Sequence, residues 1–432
     1  MMPVETTAAQ ARKQPLLSGL VLLFLVAMIF ANVGGNMYGP LMPLYIKDLG
    51  ATVGQIGLFF TISQIIPLAL QILGGWISDT LGRLRAIAIG SVVGIFTYVA
   101  LIAAPTWQWL LVASAFQSIT GSLVGPSFDA FIAEHSSEEN RARVFGISQA
   151  LFMIVGVVGP VLGGWLVDLY GFKKMLMVAA GLYVIATVIR VSMAREASKG
   201  SESRPQKLSF VSLKNNLGTM FGLLVAGGVI TWVLITDGVR DISFGLSMNL
   251  LPVYMQEFGG LNFREIGLMN SVFGLFMMLS TIPGGWLADK KGERVNIVFG
   301  FTLIGVALGM LVYMPTANPW LYGVGWAIAG MGVGLMTPAY QSLISKAVPK
   351  KVRVTAFGLF SSSLGLVSLP APWIGGQLWE KVNPRFPFMI TVIVSFLSVI
   401  PAWLKFKMPK DLNMNGNNGN ENVTVKNEQA ER

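Results

Sequence analysis

The chain has 432 residues, of which 53% are hydrophobic and only 12% are charged, and its formal net charge is +10. A soluble domain is typically about 25% charged, so the composition excludes an all-soluble protein, a disordered chain and a disulfide-linked secreted module, and it indicates a polytopic membrane protein. The sequence has no cysteine and one histidine, His135, which excludes thiolate and histidine-rich metal sites, and no cofactor is expected.

Twelve stretches are long and apolar enough to cross a bilayer, which takes about 20 mostly apolar residues. They are not the alternating ten-residue segments of a β-barrel. The first one is too long for a cleavable signal and has no small-residue cleavage site after it. The predicted fold is therefore an all-α integral membrane protein with twelve transmembrane helices, numbered as spans 1 to 12: 16–45, 53–78, 86–104, 107–133, 144–168, 175–194, 222–255, 265–288, 295–314, 319–345, 355–380 and 386–404.

The positions of lysine and arginine predict the orientation of the spans. With a cytoplasmic N-terminus, the inner segments hold 24 of these residues, with Arg190 counted among them, and the outer segments hold 6. This bias is a strong positive-inside signal, and an even number of spans then puts both termini in the cytoplasm. We expect a multi-pass protein of the cell inner (plasma) membrane, in which the lipid bilayer is the main partner. The charge of +10 reflects topology and does not indicate nucleic-acid binding.

The sequence repeats itself over six spans. Residues 43–50 recur as 252–259 at an offset of 209, residues 74–79 recur as 284–289 at an offset of 210, and the span 5 residues 160–164 recur as 372–376 at an offset of 212. Two homologous six-helix halves around a central cavity are typical of transporters. The predicted organisation is a cytoplasmic N-terminus, an N-terminal half, a cytoplasmic linker, a C-terminal half and a disordered tail: 1–15, 16–194, 195–221, 222–404 and 405–432.

A loop motif follows spans 2 and 8. Its first copy contains Gly75, Asp79, Gly82 and Arg83, and its second copy contains Gly285, Asp289, Gly292, Glu293 and Arg294. Both copies are similar to the pattern Gly-x-x-x-Asp-Arg/Lys-x-Gly-Arg/Lys-Arg/Lys of the major facilitator superfamily, with departures at Thr80, Leu84 and Glu293. Over essentially the whole chain the sequence resembles this superfamily, and the resemblance implies a twelve-helix secondary transporter of the drug/proton-antiporter-like branch.

Physical chemistry explains why the loop motif has these residue types at these positions. Gly75 lets span 2 approach a neighbouring helix closely, Asp79 complements the positive end of a helix dipole, and Gly82 permits a tight turn. Arg83 needs a carboxylate, and Glu134 is its natural partner. The repeat predicts a charge-swapped second pair, Glu293 with Lys346. The hypothesis is that both pairs hold the cytoplasmic gate closed in the outward-open state; the alternative is four independent solvated charges, since exposed pairs are often worth under ~1 kcal/mol.

Span 5 carries a glycine motif, which consists of Gly156, Gly159, Pro160, Gly163 and Gly164. It is similar to the Gly-Pro-x-x-Gly-Gly signature of the antiporter branches, although the upstream glycine spacing differs by one residue. Plain helix packing explains such glycines equally well. Those branches also tend to carry an arginine in span 4, and Gln117 occupies that position here, which weakens a direct assignment as a proton/drug antiporter.

Three ionisable residues, Asp237, Arg240 and Asp241, lie in the middle of span 7. A charge at the bilayer centre costs at least ~2.5 kcal/mol by insertion scales. The spacings of three and four residues put Asp237 on one helical face with the other two, so Arg240 can bridge both carboxylates. Span 1 has Met28, Ala31 and Asn32 at the equivalent positions, so these charges are an asymmetric addition to one half.

Two functional interpretations of this triad remain open, beside a purely structural one. In the first, Asp237 or Asp241 is the proton-coupling carboxylate, which titrates as the cavity alternates between wet and dry. In the second, Arg240 receives an anionic group of the substrate and the aspartates hold it in place. A satisfied ion triad that fixes span 7 against its neighbours is the structural explanation.

Other residues are weaker candidates for contact with a substrate. Asp129 lies about one turn from the inner end of span 4, either in the cavity or at the membrane interface. Trp232 is a candidate substrate-facing aromatic. Neutral polar side chains that can line the cavity are Asn32, Gln117, Gln149, Tyr340 and Gln341, although each is more often an interhelical hydrogen bond.

The expected function is secondary transport of a small solute by alternating access, with no enzymatic activity. The first expectation is proton-coupled efflux of an amphipathic or drug-like compound by a functional monomer whose partners are the small-molecule substrate and protons. Alternatives are uptake of an organic anion or metabolite through Arg240, and a membrane sensor that no longer transports. No phosphate-binding Gly-x-x-x-x-Gly-Lys-Ser/Thr loop is present, so the sequence does not support direct use of ATP.

Overall fold

The structure is a computed structural model that describes residues 19–67, 70, 82–197, 229–313, 318–347 and 367–406. Within these ranges the chain forms α-helices joined by short turns. Spans 1 and 7 each consist of two helices separated by one 3₁₀ turn. In chain order the helices are Gly19–Tyr38 and Met42–Asp48 (span 1), Val53–Ser63 (2), Arg83–Ala103 (3), Leu110–His135 (4), Arg141–Tyr170 (5), Phe172–Ala197 (6), Val229–Ser247 and Leu251–Glu257 (7), Phe263–Lys291 (8), Glu293–Tyr313 (9), Pro319–Ala347 (10), Ala371–Lys381 (11) and Phe386–Lys405 (12).

Eight helical segments among the described residues are long and apolar enough to cross a membrane. They are spans 1, 3, 5, 6, 8, 9, 10 and 12. Span 7 carries three ionisable residues within five positions, span 4 is rich in Ser, Thr, Gln and Gly, and spans 2 and 11 are described only in part. The polar character of spans 4 and 7 is informative, because a polar spanning helix must face protein or a water-filled cavity.

The helices pack in two equivalent sets of six. In the N-terminal half, span 1 packs against spans 5 and 6, and span 3 packs against spans 4 and 6. In the C-terminal half, span 7 packs against spans 11 and 12, and span 9 packs against spans 10 and 12. Adding six to each span number converts one set of neighbours into the other. The internal sequence repeat therefore corresponds to a structural repeat.

The equivalence extends to individual hydrogen bonds. The hydroxyl of Tyr45 donates to the backbone oxygen of Leu101 at 2.7 Å, and the hydroxyl of Tyr254 donates to that of Val312 at 2.7 Å. Both tyrosines are almost fully buried, and a buried hydroxyl needs a partner. Each bond joins the second helix of span 1 or 7 to the end of span 3 or 9. The two halves therefore contain the same internal hydrogen bond at equivalent positions.

The two halves meet along spans 5 and 8 and along spans 2 and 11. At the first contact the Cα of Gly267 lies against the backbone oxygen of Pro160, and at the second the Cα of Gly57 lies against the backbone oxygen of Pro372. The two contacts use equivalent residues, related by the offsets of 210 and 212. Glycine is required on one side because a Cβ would overlap the facing backbone, as is common where membrane helices cross closely.

Polar contacts also join the halves at one end of the bundle. Following the predicted orientation, this end is called the outer end and the opposite one the inner end. Lys47 Nζ lies 2.8 Å from a carboxylate oxygen of Glu257, and Glu380 accepts a hydrogen bond of 2.7 Å from the backbone N–H of Gly54. Together with the glycine contacts, these bonds close the outer end between the two halves.

Candidate functional site

The triad of span 7 forms the bridged arrangement that its spacing predicts. Arg240 Nη1 lies 2.8 Å from Asp237 Oδ1. Arg240 also donates to Asp241 Oδ1 through Nε at 3.1 Å and through Nη2 at 2.8 Å. The residue Asp237 is only 4% exposed, whereas the side chain of Asp241 is 33% exposed. The triad thus has a buried end and an accessible end, and its net charge is −1 when both carboxylates are ionised.

Tyr340 of span 10 completes this polar group. The guanidinium carbon of Arg240 lies 5.5 Å from the centre of the Tyr340 ring, within the range of a cation–π interaction. Tyr340 is 7% exposed and packs in addition against Phe301 and Phe406. The neighbouring Gln341 is exposed on span 10. The predicted residues Asp237, Arg240, Asp241 and Tyr340 therefore form one group between spans 7 and 10.

Trp232 lies apart from the triad, at the inner end of span 7. Its ring lies 5.4 Å from Lys405 Nζ of span 12 and is 39% exposed. Five residues separate it from Asp237, which corresponds to about 140° around a helix. Trp232 therefore lies beside span 12 at the inner end, away from Asp237, and its contact with a substrate stays a prediction.

A second polar group lines a cavity of about 430 Å³ in the N-terminal half. Four of the predicted side chains lie on its wall: Asn32 of span 1, Gln117 and Asp129 of span 4, and Gln149 of span 5. The position of Asp129, which the sequence left open between cavity and interface, is thus in the cavity. Asn32 also donates to the backbone oxygen of Met28 at 2.8 Å, which fixes its amide on the helix.

Arg190 lines the same cavity, and sequence reasoning missed it. It was counted among the cytoplasmic positive charges, but the structure corrects this assignment: the residue is 3% exposed and donates through Nη1 to Ser91 Oγ of span 3 at 3.1 Å. It lies about two turns before the end of the helix Phe172–Ala197. The sequence does indicate that Arg190 lies within the span, because the apolar stretch 175–194 continues past this arginine.

The loop motif is described in its second copy and in part of its first. Gly75 and Asp79 lie outside the described residues. Gly82 and Gly292 have φ values of +84° and +91°, a conformation that favours glycine, and each directly precedes the helix of span 3 or 9. In the second copy the close helix contact is made by Gly284, whose Cα faces the backbone of span 10, and not by Gly285, which has open space beside it. Asp289 is exposed.

Both charge pairs expected at the inner end are present. Arg83 Nε lies 3.1 Å from Glu134 Oε1. Lys346 pairs with Glu293, which also accepts a hydrogen bond of 2.8 Å from Ser342. The partners of each pair belong to the same half, so the pairs tie span 3 to span 4 and span 9 to span 10. Neither pair bridges the halves directly. If the pairs affect gating, they do so by fixing the positions of spans 3 and 4 and of spans 9 and 10.

Arg294, the last residue of the second motif copy, binds the end of span 12. It donates to the backbone oxygen of Trp403 at 3.3 Å, and its guanidinium lies 4.4 Å from the centre of that ring. The last carbonyls of a helix lack intrahelical partners, and a cation there complements the helix dipole. This residue therefore anchors span 12 to the start of span 9.

The glycine motif of span 5 lies at helix crossings. Gly159 faces Asn36, Gly163 faces the backbone of Met37, and Gly164 faces Gly267. Gly375, the repeat equivalent of Gly163, faces the backbone of span 7 at Leu246 in the same way. No side chain lies within 4 Å of the position that a Cβ on Gly156 would take. Because both halves use their glycine pairs for the same crossings, close packing accounts for most of this motif.

Comparisons with known proteins agree with this architecture. The family model of the Major Facilitator Superfamily matches residues 23–236 and again residues 233–426. The chain is similar to the multi-drug resistance efflux pump PmrA homolog of Lactococcus lactis, with 25% identity over 395 residues that cover 88% of this chain and 93% of that protein. It is similar to the multidrug resistance protein MdtG of Proteus mirabilis, with 24% identity over 392 residues, 88% of this chain and 94% of that protein.

A relative of a different activity and two solved structures are also similar. The Na(+), Li(+), K(+)/H(+) antiporter of Planococcus maritimus is 25% identical over 373 residues, 81% of this chain and 87% of that protein. A POT family transporter in complex with 5-aminolevulinic acid has a TM-score of 0.69 at 16% identity, covering 89% of this chain and 94% of that one. A bacterial homologue of the iron transporter ferroportin, in an inward-facing state, has a TM-score of 0.69 at 16% identity, covering 90% and 97%.

Proposed function

Since the chain belongs to the Major Facilitator Superfamily, we propose that this multi-pass secondary transporter exports small amphipathic, drug-like compounds in exchange for protons. The two matched halves have the pseudo-symmetric twelve-helix architecture predicted from the sequence. The named activities of the efflux relatives support export of drugs, and that of the cation/proton antiporter supports coupling to protons.

The observation that carries the proton coupling is the span 7 triad. Three ionisable residues at the centre of a spanning helix are costly, and span 1 has no counterpart of them. Arg240 is held by carboxylates on both sides at 2.8 Å. A scaffold needs only one such pair, whereas a bridged triad with one accessible carboxylate can change its charge by one proton while the arginine stays paired.

We assign the proton exchange to Asp241. Its side chain is one-third exposed, whereas Asp237 is almost fully buried, so Asp241 is the more accessible of the two carboxylates in the conformation in which the outer end is closed. Protonation of Asp241 weakens its two hydrogen bonds from Arg240 and leaves a neutral pair of Arg240 with Asp237. The triad then passes from a net charge of −1 to zero, and a neutral triad costs less to transfer into a dry environment.

The same charge change connects the proton to alternating access. A ligand shifts a conformational equilibrium only by its different affinity for the two states. With the outer end closed by Gly57, Gly267 and the Lys47–Glu257 pair, Asp241 exchanges protons with the inner side. When the outer contacts separate, the triad is exposed to the outside. The charge of the triad therefore biases the equilibrium between the closed and the open outer end, which couples the movement of the proton to that of the substrate.

The triad argues against uptake of an organic anion through Arg240. Among the described residues, the close charge contacts of this arginine are to its two aspartates, so an incoming anion would have to displace a carboxylate and face a net negative group.

Exchange of a monovalent metal cation for protons is a second candidate function. The specific observations are the net negative triad and the similarity to the Planococcus maritimus antiporter. Carboxylate oxygens are ligands for hard cations. This candidate predicts that sodium or potassium alone elicits proton release from loaded proteoliposomes, without any organic solute.

The expected topology belongs to the same proposal. We place the protein in the cell inner membrane as a functional monomer, with both termini and the linker 195–221 in the cytoplasm. The charge bias supports this orientation. After the correction of Arg190, which is buried in span 6, the positive charges of the inner segments still far outnumber those of the outer ones.

The experiment that tests the function measures proton movement in proteoliposomes on addition of an amphipathic cation such as ethidium. The wild type is expected to release protons in response to the solute, and Asp241→Asn and Arg240→Gln to release few or none. Asp168→Asn, at an exposed position near the end of span 5, is the matched control and keeps the wild-type signal. A proton flux that is unchanged in both triad variants contradicts the coupling role.

A further inference from the structure

The cavity of the N-terminal half contains a buried cation without an acidic partner in any contact that the structure shows. Arg190 is 3% exposed, and one of its nitrogens, Nη1, donates to the neutral hydroxyl of Ser91 at 3.1 Å. Its Nε is buried and has no hydrogen-bond partner. A guanidinium carries five N–H donors, so a neutral hydroxyl leaves most of its hydrogen-bonding capacity unused.

A second unpaired donor lines the same cavity. The hydroxyl oxygen of Thr120, on span 4, is buried and has no hydrogen-bond partner, and both Thr120 and Arg190 belong to the cavity wall. Buried polar groups are normally hydrogen-bonded, and each exception requires an explanation. The buried hydroxyl of Tyr183 on the same wall also has no hydrogen-bond partner. These three unpaired donors are explained together by an acceptor that occupies the cavity during the transport cycle.

The chemistry of the cavity selects the kind of acceptor. A buried arginine is compensated by a carboxylate or a similar oxyanion, to which it donates strong, charge-assisted hydrogen bonds. The volume of about 430 Å³ lies in the range of sites for drug-sized ligands, which is much larger than an inorganic anion needs. The wall also contains the aromatic side chains of Tyr98, Phe128 and Phe152, as suits an amphipathic ligand.

The cavity also has a negative group. Asp129 of span 4 lies on the wall together with the amides of Gln117 and Gln149. A ligand that carries only an acidic group would therefore meet a carboxylate as well as the arginine. A ligand with an acidic group and a positively charged group satisfies both.

We propose that Arg190 anchors an acidic group of the transported compound, so that the cavity accepts amphipathic zwitterions and not only cations. The acidic group binds the guanidinium of Arg190 and the hydroxyl of Thr120, and the positive group faces Asp129. This inference rests on the proposed function for the drug-like nature of the substrate. It differs from that proposal in placing the recognition of the acidic group in the N-terminal half, away from the span 7 triad.

The test uses two dyes that differ in one ester. Rhodamine 110 carries a free carboxylate beside its cationic ring system, and rhodamine 123 is its methyl ester, a cation. Binding of each dye to the purified full-length protein is measured by fluorescence anisotropy. The decisive quantity is the ratio of the two affinities, because general damage to the cavity changes both affinities together.

The wild type is expected to bind rhodamine 110 more tightly than rhodamine 123, and Arg190→Gln to lower that ratio by about tenfold or more, as loss of a charge-assisted hydrogen bond predicts. Arg190→Lys keeps part of the preference because the charge remains. Arg195→Gln, an exposed arginine at the end of the same helix, leaves the ratio unchanged. An equal affinity of the wild type for the two dyes, or an unchanged ratio in Arg190→Gln, overturns the proposal.

A second variant covers the case in which Arg190→Gln does not fold. Thr120→Val removes a second unpaired donor with little change in shape, and it is expected to lower the ratio about threefold or more. An unchanged ratio in this variant overturns the shared binding site. The binding assay needs no proton gradient, so binding that depends on Arg190 without any proton-linked flux would contradict the proposed antiport while leaving this inference intact.

Discussion

Closure of the outer end depends on glycine contacts that a single methyl group should disrupt. A Cβ on Gly376 of span 11 would lie 2.8 Å from the Cα of Gly54 and 2.8 Å from the backbone oxygen of Val53. Carbon atoms in contact are normally about 3.5–4.0 Å apart. The obstructing atoms are backbone atoms of span 2, in the other half, so no rotation of a side chain relieves the overlap.

The expected size of the effect follows from two opposing contributions. Alanine favours a helix over glycine by about 0.8–1.0 kcal/mol, but this gain is the same whether the outer end is closed or open, and it cancels from the conformational equilibrium. Overpacking costs about 1–3 kcal/mol, and only the closed state bears it. Gly376→Ala should therefore shift the equilibrium toward an open outer end by about 5- to 150-fold.

Spin labels can measure this equilibrium, because the chain contains no cysteine and introduced pairs label cleanly. Gln108, before span 4, and Lys381, at the end of span 11, are both exposed and belong to different halves. Cysteines at these two positions report the separation of the halves by double electron–electron resonance. Gly309→Ala is the matched control, since no atom lies within 4 Å of the Cβ position there.

The expected result is a larger share of long distances in Gly376→Ala and a wild-type distribution in Gly309→Ala. If Gly376→Ala gives the wild-type distribution in liposomes, the contact between spans 2 and 11 does not control the outer end. If both variants change the distribution equally, the effect is not specific to the contact between spans 2 and 11, and the argument from packing fails.

Three further predictions concern charged and buried pairs. Lys47→Glu or Glu257→Lys should shift the equilibrium between the closed and the open outer end by no more than about 1 kcal/mol, because both side chains are about one-third exposed (31% and 32%). The double exchange should restore the wild-type spin-label distances, and a failure to restore them would contradict the pairing. Glu293→Lys combined with Lys346→Glu should transport better than either single variant, and equal activity of all three would show that the inner pair has no role. Tyr45→Phe should lower the free energy of unfolding by about 1–3 kcal/mol, since a buried carbonyl loses its donor; an unchanged thermal unfolding temperature would refute this.

The sequence was sufficient to predict the architecture because its signals are local or repeated. Twelve apolar stretches predict the spans, and stable offsets of 209 to 212 predict two equivalent halves. The same repeat predicted the charge-swapped pair of Glu293 with Lys346, since it transfers a contact from one half to the other. The geometry of the triad could be predicted because spacings of three and four residues place side chains on the same side of one helix.

Features that depend on contacts between distant spans could not be predicted in this way. Arg190 lies near the end of span 6, where an arginine either extends to the interface or remains buried. Its contact in the buried position is with Ser91, 99 positions away in the sequence, which the local sequence does not reveal. The location of Asp129 in the cavity and the position of Trp232 beside Lys405 likewise depend on how neighbouring helices rotate about their axes.

The central claim, that Asp241 exchanges the proton that drives export, is tested most directly by comparing two transport modes of one variant. Substrate exchange between the two sides of a proteoliposome requires binding and alternating access but no net proton movement, whereas accumulation against a gradient requires coupling. We expect Asp241→Asn to retain exchange of labelled ethidium while a pH gradient no longer drives its accumulation. Accumulation at the wild-type level in Asp241→Asn would contradict the account.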